Sequence, residues 1–306
     1  MSVKHTLIVP CYNEEGNVEK FLLEAKKAMS DYTSSYEIIF VNDGSRDSTP
    51  KKLREIFNSN KDVNIKVISF SRNFGKEAAM YAGFTQASGE YITVIDADLQ
   101  QDPKYAVEMG KILDNDPDCD MVAAYQAQRK EGKLISFCKS SFYKVITKMS
   151  GIDFVSDASD FRTMRKCVAD TIVALPEYHR FSKGIFSWVG YNTVSIPYEV
   201  KERESGETKW NFKKLLAYAF EGIVAYTDKP LKLPFYLFVA LFLLSVIFIF
   251  SSGALLAFIS LVGALIMLCL GIMGIYIGKI HTQVKDRPIF IAKEILTYEH
   301  NQETHN

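Results

Sequence analysis

Short apolar runs alternate with longer amphipathic stretches over the first 125 residues. Thr6–Pro10, Glu37–Val41, Ile65–Phe70, Tyr91–Ile95 and Asp120–Ala124 read as strands. Glu15–Ser30, Ser48–Asn58, Lys76–Ser88 and Pro103–Leu113 carry apolar residues at helical spacing. Strands alternating with helices predict a parallel α/β sheet. The strands are apolar on both faces, as a sheet covered by helices on both sides requires. Ligands of such sheets bind beyond the carboxyl ends of the strands. There the first four strands end in Tyr12-Asn13-Glu14, Asn42-Asp43-Gly44-Ser45, Ser71-Arg72-Asn73 and Asp96-Ala97-Asp98. Four polar clusters on one edge predict a pocket.

The pattern becomes less regular after Gly132. A helical stretch is expected at Leu134–Met149, a polar loop at Asp153–Arg162, a helix near Lys183–Val189 and a strand at Thr193–Pro197. A charged loop, Lys201–Lys209, then leads into an amphipathic helix at about Trp210–Tyr226. That helix suits either the membrane interface or docking against the preceding domain. From Leu233 to Gly278 no Asp, Glu, Lys, Arg or His occurs. Two apolar runs, Leu233–Phe250 and Ala254–Ile277, flank Ser251-Ser252-Gly253. As helices they would reach roughly 27 and 36 Å, against a bilayer core of about 30 Å. Lysines and an arginine lie outside both runs and none lies in the turn, which predicts a hairpin with both ends cytoplasmic.

Composition narrows the classes. The 36 basic and 36 acidic side chains cancel, which argues against a nucleic-acid binder. The five cysteines are scattered without a Cys-x-x-Cys pair, and the histidines lack metal-ligand spacing, so neither a disulfide framework nor a zinc site is expected. The first apolar run is too short for a signal-peptide core, which leaves the polar part in the cytoplasm.

The strand-end clusters carry the candidate chemistry. Asp96 and Asp98, one residue apart after a strand, can bind Mg²⁺ or Mn²⁺ that shares its open positions with a diphosphate. A solvated loop or helix cap is the plain alternative. Tyr12 and Glu14 can hold a base and ribose, or simply open a helix. Asp43 can accept from a pyrimidine imide, and Gly44 permits close backbone approach, although an ordinary turn has the same composition. Arg72, Lys76 and free helix amides make an anion site or a solvated loop. The P-loop spacing is absent.

Taken together, these four clusters resemble the inverting GT-A glycosyltransferases. They resemble above all the polyprenyl-phosphate group: dolichyl-phosphate mannose synthases and, more closely, bactoprenol (undecaprenyl-phosphate) glucosyltransferases. Asn73-Phe74-Gly75-Lys76-Glu77, Asp96-Ala97-Asp98-Leu99-Gln100, Asp160-Phe161-Arg162, Arg180-Phe181-Ser182-Lys183-Gly184 and Arg203–Trp210 extend the resemblance to nearly the whole chain, as does the two-helix tail. It implies a Rossmann-like GT-A domain at 1–209, a juxtamembrane helix at 210–230, two transmembrane helices at 231–279 and a cytoplasmic tail at 280–306.

By the same resemblance, Pro10, Tyr12, Glu14 and Asp43 would bind the nucleoside; Arg72 and Lys76 join the donor-binding candidates as the anion site read above. Asp96, Ala97, Asp98 and Gln100 would surround the metal and sugar diphosphate, and Arg203 and Lys209 would bind phosphates. Asp160 would take the catalytic carboxylate position, with Asp157 competing for it, because Ser159 stands where many relatives have Gly. Cys11 reads as packing. Arg162, Arg180 and Lys183 can hold an acceptor phosphate or form a solvated basic surface.

The implied enzyme is a metal-dependent hexosyltransferase of the cytoplasmic (inner) membrane. It would move sugar from a nucleotide sugar, UDP-glucose or another UDP-hexose, to polyprenyl phosphate. A homo-oligomer is allowed, and a separate flippase would follow. A membrane glycosyltransferase with a sugar-hydroxyl acceptor is the alternative, though the Gln-x-x-Arg-Trp motif of processive synthases is missing. A scaffold with a dead site fits the intact Asp96/Asp98 pair poorly.

Overall fold

The computed structural model describes residues 3–126, 147, 158–200, 229–248 and 255–298. Strands β1 (His5–Cys11), β2 (Tyr36–Asn42), β3 (Asn64–Phe70) and β4 (Tyr91–Val94) run parallel, as their alternation with helices required. Helices α1 (Val18–Ser30), α2 (Thr49–Ser59) and α3 (Lys76–Gln86) connect them, and α4 (Lys104–Asn115) leads to β5 (Met121–Gln126). Each lies within a few residues of its expected position. The helical stretch at 134–149, except for residue 147, and the segment 210–226 lie outside the described residues.

The sheet is mixed rather than parallel throughout. Residues expected in a polar loop contribute β6 (Ala158–Arg165), which runs antiparallel to both β4 and β5 and lies between them. Its alternation was disguised because polar Arg162 and Thr163 are buried along with Phe161 and Met164. Helices α5 (Lys166–Ala174) and α6 (Ser182–Trp188) follow, then β7 (Thr193–Tyr198), parallel to β5.

Two helices come next, α7 (Lys229–Phe248) and α8 (Leu255–Val284). Among the described residues one helical span, Leu261–Val284, is long and apolar enough to cross a bilayer, and none of it is buried in the protein. After α8 the chain returns to the sheet as β8 (Ala292–Leu296), antiparallel to β3. The segment expected as a tail therefore supplies an edge strand. The full order is β7-β5-β6-β4-β1-β2-β3-β8.

Alternate residues of each central strand enter two separate cores. Leu7, Val9, Ile38 and Phe40 face Phe21, Leu53 and Met109, whereas Ile8, Ile39 and Val41 face Met80, Phe84 and Ile172. Each fully buried side chain of this kind contributes about 1.5–3 kcal/mol. Gly83 lets α3 approach β1 closely: a Cβ there would lie 2.2 Å from Ile8 Cγ2. These two cores fix the strand ends, and so the edge on which the polar clusters meet.

Candidate active site

A cavity of about 400 Å³ opens at the carboxyl ends of β1 to β4. Pro10, Tyr12, Glu14, Asp43, Lys76, Asp96, Ala97 and Asp98 line it, together with Cys11, Asn73, Gly75 and Ala79. All four clusters thus converge through residues singled out in the sequence, the third through Lys76, with Asn73 and Gly75 beside it.

The loops are stitched to one another more than to themselves. Asn13, at φ 57°, accepts from the Arg46 amide, and its own amide donates to Ser45 Oγ. The Glu14 amide donates to Thr49 Oγ1, and Glu15 accepts from the Ser48 amide. Each bond joins the loop after β1 to the loop after β2.

Asp43 joins β2 to the loop after β3. Its carboxylate accepts from the Phe74 amide at 2.6 Å, the Gly75 amide at 3.0 Å and Asn73 Nδ2 at 2.8 Å. Burial raises its pKa, and these amides and Arg72 oppose that shift. Gly44, at φ 64°, makes the junction possible, because a Cβ there would stand 2.3 Å from the Arg72 carbonyl carbon. The close approach anticipated for Gly44 is to protein backbone. Arg72 stacks over Phe74 with its guanidinium carbon 3.9 Å from the ring centroid and donates to the Asn73 carbonyl. It does not line the cavity described above.

After β4 the chain turns through Leu99 at φ 60°. The Asp96 amide donates to Gln101 Oε1 and the Gln100 amide to Asp98 Oδ1. Gln101 is buried and holds the turn, a role the sequence pattern did not single out. Gln100, one residue earlier, had been expected at the diphosphate.

Lys76 is the hinge of the site. Its ammonium lies 2.7 Å from Asp96 and 3.1 Å from Asp160. Burial pulls the ammonium pKa down, but the charges of Asp96 and Asp160 outweigh it and hold the value above that of an ordinary lysine. Burial pushes Asp160 up, and Lys76, Lys183 and Arg162 overcome that effect and pull it to about 2. Asp160 meets Lys76, which lines the cavity, because β6 pairs with β4 and so lies beside the strand that leads into Asp96.

The basic residues considered for an acceptor phosphate separate. Lys183 lies in the field of Asp160. Arg162 is buried, stacks 3.7 Å from the Phe186 centroid and donates to the Ser159 carbonyl. Arg180 donates to the carbonyls of Ile172 and Leu175 and packs over Tyr81. Asp157, Arg203 and Lys209 lie outside the described residues. Glu77 went unassigned in the sequence, yet its carboxylate accepts from the Ser182 amide and hydroxyl. Burial and the charge of Asp160 raise its pKa to about 7. Burial, then Glu14 and Asp96, raises the Cys11 thiol well above its ordinary value, which fits a packing role.

Asp96 and Asp98 are hard oxygen donors on the cavity wall. Among the described residues no group of three or more His, Cys, Asp or Glu forms a metal cluster. The pair suits a divalent cation that takes its other ligands from a bound diphosphate.

The profile described as Glycosyl transferase family 2 matches residues 6–171. A putative glycosyltransferase, CsbB, of Bacillus subtilis (strain 168) is 35% identical over 94% of this chain and 91% of its own. The SfII prophage-derived bactoprenol glucosyl transferase of Shigella flexneri is 34% identical over 95% of this chain and 98% of its own. The crystal structure of glucosyl-3-phosphoglycerate synthase from Mycobacterium tuberculosis with Mn²⁺, UDP and phosphoglyceric acid superposes with a TM-score of 0.52. It is 16% identical and covers 72% of this chain and 76% of that one. That likeness is one of fold, the GT-A architecture.

Proposed function

The chain belongs to glycosyl transferase family 2, and on that premise we propose that it transfers a hexosyl group from a nucleotide sugar to a polyprenyl phosphate. The donor is UDP-glucose or another UDP-hexose, the acceptor is undecaprenyl phosphate at the cytoplasmic membrane face, and the anomeric centre inverts. The observation that carries this reading is the near full-length likeness to a bactoprenol glucosyl transferase.

The nucleoside would lie along Pro10, Tyr12 and Glu14, with its diphosphate toward Asp96 and Asp98. Those two carboxylates would hold Mg²⁺ or Mn²⁺, which when bound offsets the charge growing on the leaving diphosphate. Arg203 and Lys209 would add fixed positive charge there. An acceptor phosphate oxygen attacks the anomeric carbon as the bond to the nucleoside diphosphate breaks. A phosphate monoester has its second pKa near about 6, so it is already largely dianionic and needs no base. Asp160, drawn down to about 2, is ionised at neutral pH and is a poor proton acceptor. Its part is to hold Lys76, and through Lys76 the Asp96 side chain. A sugar-hydroxyl acceptor would demand the base that this carboxylate is ill suited to be.

Connectivity supports a paired crossing of the membrane by the apolar helices. β3 precedes α7 and α8 in the chain, β8 follows them, and the two strands pair. A chain that leaves and rejoins one sheet crosses a bilayer an even number of times, so a crossing by α8 requires a second, and α7 supplies it. The catalytic domain and the C-terminal segment then share the cytoplasmic side.

The test is a screen of labelled nucleotide sugars with the purified full chain and undecaprenyl phosphate, read as labelled lipid with its anomeric configuration determined. Lipid-phosphate sugar of inverted configuration is expected. Transfer only to sugar hydroxyls would overturn the reading.

A further inference from the structure

We propose that Phe290, which follows the last apolar helix, is a positioning residue for the donor cavity, holding the loop Ser71–Gly75 through which Asp43 is fixed. The inference rests on reading that cavity as a nucleotide site.

The loop carries little structure of its own. Arg72 and Asn73 are exposed, and Gly75 sits at φ 98°. Beyond the Arg72 contacts with Phe74 and the Asn73 carbonyl, what shapes it comes from outside. The Ser71 amide donates to the Ile291 carbonyl at 3.0 Å, continuing the β3–β8 ladder one step past the irregularity between Ser69 and Phe70. The Phe290 ring stacks on Phe70, centroids 4.8 Å apart and planes 20° off parallel. It also meets Tyr81 of α3 edge-on at 6.4 Å. One ring thus contacts the strand that enters the loop and the helix that leaves it. Phe70 in turn meets Phe74 edge-on at 5.7 Å, and the Phe74 amide makes the 2.6 Å bond to Asp43. The relay Phe290–Phe70–Phe74–Asp43 ends on the cavity wall.

The other end of this segment is tied to the catalytic domain as well. Gln283, in the last turn of α8, donates to the Pro176 carbonyl at 2.7 Å and accepts from the Tyr178 amide at 2.8 Å. Phe290 is therefore held between two fixed points, the end of α8 and strand β8. It can act as a strut because neither neighbour is loose.

Tyr298 supplies the control. It stacks on Phe57 at 4.4 Å, beneath Lys61, at the far end of the same segment. Neither Phe57 nor Tyr298 lines the cavity. Removing either ring weakens docking of the segment, but only Phe290 touches the loop's neighbours.

The experiment titrates UDP, with GDP in parallel, into the full chain in detergent with Mg²⁺, by calorimetry. Phe290→Ala should weaken nucleotide binding by about three- to tenfold, the factor to which the loss of one aromatic pair converts. Phe290→Tyr should restore it. Tyr298→Ala should lower the melting temperature and leave nucleotide affinity unchanged. Should Phe290→Ala fail to fold, Phe290→Leu carries the same comparison. Wild-type affinity in the Phe290 variant, or equal losses in the Phe290 and Tyr298 variants, overturns the strut. Binding of neither nucleotide by the unaltered chain overturns the reading of the cavity, and the strut falls with it.

Discussion

The Lys76 ammonium lies 2.7 Å from the Asp96 carboxylate, so the cation expected to meet donor phosphate is already engaged by protein. It also reaches Asp160 at 3.1 Å. One lysine thereby couples the metal-binding turn after β4 to the carboxylate on β6. Lys76→Gln would remove the one cation that contacts both carboxylates, leaving Asp160 only the fields of Lys183 and Arg162. We expect kcat to fall by about 10²-fold, as when one preorganised charge is removed. The Asp160 pKa should rise with the loss, but with no Lys76 left for it to hold, its protonation should not lower the variant's rate further at acid pH. The melting temperature should move little, because all three groups keep some exposure to water. A pH–rate profile set beside thermal melting checks both.

Asp98→Ala should cut transfer by at least about 10²-fold, and chelation of the unaltered enzyme should do the same until Mg²⁺ or Mn²⁺ is returned. Full activity in chelator would end the metal assignment.

Gly44→Ala should destabilise the domain by about 2 kcal/mol or more, from its positive φ and from contact with the Arg72 backbone. The donor KM should rise as the loops after β2 and β3 part, and the acceptor KM should stay. Denaturant melts and initial rates with each substrate varied separate the two effects.

Glu77 predicts a pH-dependent stability. Its folded pKa of about 7 lies above the ordinary 4.5, chiefly through burial. The folded state therefore holds this proton more tightly than the unfolded chain does. The stabilisation is present in full below the unfolded value and is lost as pH rises through the folded one. Relative to Glu77→Gln, the wild-type melting temperature should fall between about pH 5 and about pH 8. A constant difference would show that Glu77 keeps an ordinary pKa.

Topology makes a further prediction. Tags at both ends of the chain should be digested from the same, cytoplasmic side of sealed vesicles. The apolar helices offer no polar path, and moving a charge through hydrocarbon costs several kcal/mol or more. Labelled product should therefore stay in the leaflet where it forms until a separate flippase acts. Its rapid appearance on the opposite leaflet, with the native assembly reconstituted alone, would show transport by the enzyme itself.

The amino-acid sequence by itself determined the parallel half of the sheet, its four polar strand ends and the two apolar runs. These are local patterns: Ile38–Val41 is apolar on both faces because two helical layers cover it, and a run without charge announces itself at any position. Tyr12, Asp43, Asp96 and Asp98 could be named as cavity residues because each follows a strand end, and Pro10 only through the family resemblance. Only the tertiary structure decided where β6, β8 and Lys76 belong. In β6 the buried Arg162 and the carboxylate Asp160 hide the strand alternation, since Asp160 meets Lys76 and Arg162 meets Phe186 only across the fold. In β8, Lys293 and Glu294 make an edge strand look like a solvated tail, and Glu294 finds Arg54 only across the fold. Lys76 reads as a phosphate cation until β6 places Asp160 beside it. Pairing between charges far apart in the chain leaves no periodic trace, whereas apolar burial does.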